Sequence, residues 1–341
     1  RGTTNCLLNF GEGKFTPGGK AGAIGYLVGE PHKGLANMFH MMNEARIGVG
    51  LGATVLGVTG YLHALDYARN RPQGRHPAEK DPAKAQVAIV EHTDVRRMLL
   101  AQKAYTEGAL ALIMYCARLV DEQRTGESPE AQSRAGMLLD FLTPIAKSWP
   151  SQWCTEANSL AIQVHGGYGY TREYNVEQFY RDNRLNPIHE GTHGIHGLDL
   201  LGRKVSIQQG ALFKAVGEEV AATVAKARAC DHADLHAYAA QLDTLWARIG
   251  DVTATLYGAG DMNKTLANAS LYLEAVGHVV IAWMWLEQAL VAARHDDDDF
   301  YRGKLQACRY FFNWELPKSA QQLDLLATVD TTTLDMRDAW F

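Results

Sequence analysis

From residue 34 the apolar positions fall three and four apart. Leu35, Met38, Phe39, Met42, Val49 and Ala53 share one register with Arg46, and the period continues to about residue 67. That spacing is one face of an amphipathic helix. Two prolines and a glycine between residues 70 and 77 end it in a loop. Helical periods resume over about 93–124 and 128–148, the second opened by Ser128 as N-cap with Pro129 in the first turn. Pro150-Ser151 is expected to restart the chain in a shorter helix to about residue 164. The Gly-rich run 165–170 then turns it before a helix near 173–182. Beyond Gly202 the pattern predicts helices over roughly 206–229, 232–256, 263–295 and 301–327, separated by Asp231, residues 258–261 and the acidic run 296–299. Ahead of the helices, residues 1–33 are rich in turn signals. Two β-like runs, 6–10 and 23–28, flank Pro17-Gly18-Gly19, and two isolated strands are marginal in water.

A chain of 341 residues with 47% hydrophobic content can fill two cores of ordinary size. The 33 Lys and Arg against 38 Asp and Glu give a net charge of −5, with no basic run longer than two, which argues against a nucleic-acid partner. Five scattered cysteines with no CxxC pair imply neither a disulfide framework nor a cysteine zinc site and fit a reducing cytoplasm. The apolar run 275–286 falls short of the roughly 20 residues of a membrane span and contains His278, so no span is expected. No signal peptide opens the chain, and Arg1 in place of Met leads the expectation that residue 1 is not the natural beginning.

The chemistry concentrates in His189-Glu190-Gly191-Thr192-His193. These letters fit the HExxH pattern of zinc hydrolases, in which a regular helix sets two His at i and i+4 on one face beside a Glu. Gly191 costs about 1 kcal/mol in a helix interior, and Pro187 lies just upstream. The better parse makes Thr192 the N-cap of a helix starting at His193 and leaves Glu190 in the loop before it. No metal site is expected there. The acidic run 296–299 lacks the alternating ligands and glycine of an EF-hand and reads as a solvated turn. Gly48, Gly50 and Gly52 have no strand ahead of them, so close helix packing explains them better than a dinucleotide fingerprint. His165 reads as a packed histidine, and Trp283 with Trp285 as core on one side of a helix and interface on the other.

Ile188-His189-Glu190-Gly191-Thr192, with the upstream runs 163–170 (QVHGGYGY) and 179–182 (FYRD), resembles the C-terminal half of the acyl-CoA dehydrogenases. The resemblance implies a mainly α fold: a four-helix-type bundle over residues 34–205, a second helical domain over 206–341, and a short β remnant over 1–33 that ends the family's middle β-barrel. The family's N-terminal helical domain and most of that barrel have no counterpart, so the fragment alone is expected to turn over little. The implied reaction is FAD-dependent α,β-dehydrogenation of an acyl-CoA to the trans-2-enoyl-CoA, within fatty-acid β-oxidation. Glu190 is the implied base, because an α-hydrogen of low acidity needs a carboxylate held in a dry pocket.

The rest of the site follows from the same resemblance. Arg46, His189 and Gly191 are expected at the substrate. Arg71, Gln163, Gly166, Gly167 and Thr192 are expected at FAD, with Arg69 and Arg75 as alternatives to Arg71, because the loop reads Arg-Pro-Gln-Gly-Arg. Gly194 replaces a frequent Gln, so that contact is expected to be absent. A second family pattern puts the base just before the bundle-helix arginine. Ala45 holds that position, and Glu44 lies one residue further round the helix. A cofactor shared between subunits implies a homodimer or a dimer of dimers, and an electron-transfer flavoprotein is the implied acceptor. A non-catalytic helical module of the same family, such as its DNA-associated branch, would call for a basic face that the composition does not favour.

Overall fold

The computed structural model describes residues 6–295 and 297–341, apart from the side chains of Ala36, Phe39 and His40. Expectations touching residues 1–5, the Phe39 side chain and Asp296 lie outside the described residues. Two compact units are present, Arg1–Glu44 and Ala45–Phe341. In the first, residues 6–33 contain a 3-10 turn at Pro17–Gly19 and no strand. One backbone bond, from the Ala23 N–H to the Phe10 carbonyl at 3.2 Å, links the two β-like runs. The expected β remnant is therefore not formed among the described residues, as a strand pair with nothing to extend it is marginal.

Helix α1 (Gly34–Asn70) continues into the second unit. There α2 (Thr93–Thr125) and α3 (Pro129–His165) form a long hairpin. Ser128 caps α3 as its sequence foretold, its hydroxyl accepting from the Ala131 N–H at 3.2 Å. Short helices α4 (Val176–Asn183) and α5 (His193–Asp199) follow, with a π turn at Leu200–Lys204. Then come α6 (Ile207–Arg228), α7 (Ala233–Gly258), α8 (Met262–Leu266) and α9 (Ala269–Ala292). Helices α10 (Asp299–Tyr310) and α11 (Leu316–Ala327) are joined by a π turn at Phe311–Glu315, and a last turn, α12, covers Thr332–Asp335. Gln208, Gln209 and Gly210 hold left-handed φ values of 51°, 56° and 83°, so regular α6 begins just after them.

Helix α9 is apolar on every side because it is central. It packs on α2, α5, α6, α7, α10 and α11. Residues two apart on a helix point about 200° from each other, and both tryptophans are nonetheless enclosed by this chain. The Trp283 indole donates to Thr223 Oγ1 at 2.8 Å and the Trp285 indole to the Ala104 carbonyl at 3.0 Å. The expected interface on one side of α9 is thus replaced by core. By length and hydropathy alone, Met41–Asn70 and Ala269–Ala292 could each cross a membrane, which corrects the expectation that no apolar stretch is long enough. For α9 the enclosure within the fold accounts for that apolarity.

Helix α3 corrects the expected restart at Pro150, because it runs unbroken through Pro144 and Pro150. A proline in a helix interior deprives the carbonyl four residues earlier of its partner, here that of Ala146. α1 meets that carbonyl with a glycine: a Cβ on Gly50 would lie 2.1 Å from the Ala146 oxygen and 2.8 Å from Ile113 Cδ1. One turn on, the Ser151 and Thr155 hydroxyls donate to the carbonyls of Lys147 and Ser151 at 2.6 and 2.7 Å. Gly60 repeats the close approach, its Cβ position lying 2.3 Å from Asn158 Nδ2. Of the small residues noted in the sequence, Gly50 is the one used against α3, while Gly48 and Gly52 face open space. A Gly50→Ala chain is expected to lose about 1–3 kcal/mol through overpacking, read as a lower midpoint in urea with an unchanged slope. A Gly48→Ala control should match or exceed the parent.

Candidate functional site

The turn between α4 and α5 holds Glu190, and it is fixed from beneath. Glu190 and Gly191 both have positive φ, 55° and 99°, a conformation that non-glycine residues adopt at a cost. Two buried side chains hold their carbonyls. His196 Nε2 donates to the Glu190 carbonyl at 3.1 Å, and the Lys147 ammonium donates to the Gly191 carbonyl and, at 2.8 Å, to that of Asn186. A Cβ on Gly191 would lie 2.8 Å from His196 Nε2, so this position needs glycine for space as well as for φ. With both carbonyls turned inward, the Glu190 side chain is exposed. The dry pocket expected around it is not supplied by the described residues of this chain.

An amide ladder braces the same turn from the side. Asn158 donates to the Leu56 carbonyl at 2.9 Å, and Asn183 donates to the Ala53 carbonyl at 3.1 Å and to Asn158 Oδ1 at 2.7 Å. Asn186 donates to Asn183 Oδ1 at 2.8 Å, and the ladder ends at His189, whose Nε2 lies 3.0 Å from Asn186 Oδ1. Asn158 and Asn183 are fully buried, where unpaired amides would be costly. α1, α3 and α4 are thereby locked to the loop that carries Glu190.

Burial sets the charges. Lys147 is pushed down to about 8, first by loss of solvent and then by the Arg46 guanidinium. His196 is pushed down to about 3 and His193 to about 4, in both cases mainly by burial. Both imidazoles are neutral at pH 7. Because a carbonyl only accepts, His196 carries its proton on Nε2, leaving a buried Nδ1 lone pair without a partner. Arg46 is buried and ion-paired to Asp199 at 3.0 Å, so its guanidinium is held within the fold beside the turn.

The HExxH geometry fails at its centre. Glu190's left-handed φ ends any helix there, and α5 starts at His193. His189 turns to Asn186, while His193 meets the Ser148 hydroxyl and, at 2.9 Å, Gln152 Oε1. Two imidazoles with separate partners do not form one ligand set, and among the described residues no three His, Cys, Asp or Glu side chains gather as a metal site. Thr192 stands at the N-cap of α5, with its carbonyl accepting from the His196 N–H at 3.1 Å, although its side chain is exposed and makes no capping bond.

The remaining expected residues gather at the far end of α1 and α3. Arg71 follows α1, its guanidinium carbon 5.5 Å from the centre of the Tyr168 ring and its buried Nε without a partner. Gly166 (φ 60°) and Gly167 follow α3, and a Cβ on either would meet open space. Gln163 is exposed beside them. His165 stacks on Tyr67 with ring centres 4.3 Å apart, and its Nδ1 donates to the Ala161 carbonyl, 2.8 Å away. A cavity of about 380 Å³ opens between Arg71, His165, Tyr67 and Tyr174. Of the rival arginines, Arg75 is spent on its own loop, donating to the Lys84 carbonyl at 2.6 Å and the Pro82 carbonyl at 2.5 Å. The structure thus makes two clusters, one at Glu190 and one at Arg71, and does not bring them together within a chain. Arg46 and Arg71 stand on the order of 37 Å apart along α1 at 1.5 Å per residue.

Sequence reasoning missed Lys147, His196 and the asparagine ladder. The available signal was a lysine inside the apolar run Pro144-Ile145-Ala146-Lys147, which a surface role does not explain.

The bundle thus presents an exposed carboxylate on a pinned turn, with a glycine turn and an arginine at its far end. The family model described as "Acyl-CoA dehydrogenase, C-terminal domain" matches residues 32–206, and that described as "Acetyl-CoA dehydrogenase C-terminal like" matches 216–337. The chain belongs to the acyl-CoA dehydrogenase family. It is 37% identical over 310 residues to 3-methylmercaptopropionyl-CoA dehydrogenase of Ruegeria pomeroyi, covering 85% of this chain and 50% of that protein. It is 31% identical over 365 residues to a broad-specificity linear acyl-CoA dehydrogenase of Mycobacterium tuberculosis, covering 99% and 57%. Among solved structures, Caenorhabditis elegans ACDH-11 in complex with C11-CoA shares the fold with a TM-score of 0.67 at 18% identity, over 94% of this chain and 48% of that one. An acyl-CoA dehydrogenase from Bacillus anthracis complexed with FAD gives 0.65 at 19%, over 91% and 52%. The chain spans about half the length of the curated relatives it matches.

The buried neutral histidines set an acid limit. His193, His196 and His278, pushed to about 4, 3 and 4, bind fewer protons folded than unfolded below the ordinary 6.5. Stability is therefore greatest above pH 6.5 and falls as pH drops from there towards 4. Thermal midpoints measured from pH 7.5 to 4.5 should decline along this course, with a shallower slope in His196→Gln. A slope unaltered by that substitution would mean His196 titrates alike in both states.

Proposed function

We propose that this chain carries the catalytic base and part of the cofactor site of an acyl-CoA dehydrogenase that acts with FAD and forms the trans-2-enoyl-CoA. The observation that carries the reading is the pinned turn, where three inward bonds hold the backbone so that one carboxylate projects outward from a chain of this family. Glu190 takes the proton from the carbon next to the thioester onto its carboxylate. Its own N–H, on the turn that Lys147 and His196 immobilise, is placed to donate to the thioester carbonyl as charge develops there. A carboxylate abstracts such a proton better where water is excluded. Glu190 is exposed, so the acyl group and the surface that covers this face must provide the exclusion. His189, held by Asn186, and Gly191 line the approach to the acyl chain, and Arg46 contributes fixed positive charge from beneath.

The far cluster fits an anionic dinucleotide: Arg71 has an orphaned buried Nε, and the open backbone at Gly166 and Gly167 admits close approach. Arg71, Gln163, Gly166 and Gly167 would hold the nucleotide end of FAD, and Thr192 would meet FAD on the Glu190 side. The cofactor, when bound, accepts the β-hydrogen as hydride. Separation of the two clusters within one chain favours a homodimer or a dimer of dimers in which each site takes one cluster from each of two copies. An electron-transfer flavoprotein suits the role of acceptor, and one relative is named as a subunit of a caffeyl-CoA reductase-Etf complex.

The test uses the longest natural reading frame that contains these residues. Glu190→Gln keeps the shape and removes the base, so turnover of acyl-CoA should fall by about 10²–10⁴ while flavin content and thermal midpoint stay unchanged. Turnover that survives the substitution would move the base elsewhere.

A further inference from the structure

Away from both clusters, a cavity of about 410 Å³ lies between the start of α2 and the junction of α10 with α11. Three of its wall residues are Arg96, Arg97 and Arg309. Arg309 makes no hydrogen bond or ion pair among the described residues. The bond made by Arg96 is to the Val90 carbonyl, 2.8 Å away, and Arg97 shares the exposed carboxylate of Asp94. Three guanidinium groups thus face one cavity with a single, solvated counter-charge, in a chain whose net charge is −5. The opposite wall is a flat aromatic pair. Tyr310 and Trp314 stack with ring centres 5.7 Å apart and planes within 11°. Tyr310 is fixed by a 3.2 Å bond from its hydroxyl to Glu315, a buried carboxylate that Lys318 holds from the other side. The π turn Phe311–Glu315 sets Trp314 outward, where it remains 58% exposed. Such turns are frequent at binding sites.

We propose that this cavity binds a nucleoside di- or triphosphate group, either free or as the end of a larger molecule. The base stacks on Trp314 and the phosphates are held by Arg96, Arg97 and Arg309. Guanidinium forks match phosphate oxygens in pairs, and an aromatic face accepts any base by stacking. The cavity volume lies in the range of small-ligand sites. Neither an anion nor an aromatic ring alone uses both walls. The site goes beyond the dehydrogenase reading and does not depend on it.

The full 341-residue chain is titrated with ADP, adenosine, pyrophosphate and CoA by calorimetry and tryptophan fluorescence. ADP should bind more tightly than adenosine or pyrophosphate, and less tightly as salt rises. Arg309→Ala and Arg96→Ala should each weaken ADP by about tenfold. Trp314→Leu should weaken ADP and leave pyrophosphate unchanged. Arg71→Ala, at the proposed FAD end, should leave intact the ADP binding that Trp314→Leu weakens. CoA binding as tightly as ADP or tighter would identify the nucleotide end of CoA as occupant, and weaker binding the free nucleotide. The proposal is overturned by absence of ADP binding at millimolar concentration, by pyrophosphate binding as tightly as ADP, or by loss of ADP binding in Arg71→Ala but not in Arg309→Ala.

Discussion

A buried ammonium organises the end of this bundle that carries Glu190. Lys147 has no water to solvate it, and two loop carbonyls from the turn before α5 take the place of that water. The exchange works in both directions. An ammonium in a packed interior needs acceptors, and a turn with consecutive positive φ values needs something to hold it in that conformation. Each demand is met by the other. The position of Glu190 is therefore tied to the interior of α3, a rigid helix, and does not depend on the loop's own preferences.

The same stretch of α3 joins fold to site. Pro150 leaves the Ala146 carbonyl without its helical partner, and Gly50 on α1 closes onto that spot. Lys147 is the next residue, and Ser151, Thr155 and Asn158 continue along the helix with bonds to α3's own backbone, to α4 and to α1. The polar side chains of α3 in this region bond carbonyls of its own turns and of α4 and α1. Those bonds bring α1 and α4 to fixed distances, and α4 leads directly into the turn. Packing and chemistry share one set of bonds, so a substitution at Gly50 or Asn183 that touches no substrate would still shift the carboxylate.

Helical periodicity made most of the architecture legible. Ser128 with Pro129 marked the start of α3, and Thr192 was readable as the residue ahead of α5, since glycine and proline signals act locally. Three readings failed because tertiary contacts decided them. Pro150 does not break α3, and α1 packs closely on the Ala146 carbonyl through Gly50. Trp283 and Trp285 lie on opposite sides of α9 yet both are core, as that helix is surrounded. The β-like runs before residue 33 stay unpaired among the described residues, as alternation does not supply a partner strand. At the site, Glu190 was visible through its motif, whereas Lys147 and His196 were not. Each acts on a carbonyl distant in sequence, and no local pattern encodes that pairing.

Under the proposed function, a base that requires dryness would have to be a carboxylate that this chain leaves open to solvent. The arrangement would resolve this by separating position from environment. Direction is built into the chain through Lys147, His196, Asn158 and Asn183, all of which are buried. Desolvation cannot be built in the same way, because an ionised carboxylate enclosed permanently would cost several kcal/mol with no proton to remove. If an acyl group covers that face, as proposed, the cost of dehydration would be tied to binding, where the remote contacts of the substrate can offset it. On the proposed function, residues that pin the turn would govern the rate at saturating substrate, while residues that form the cover would govern both rate and affinity.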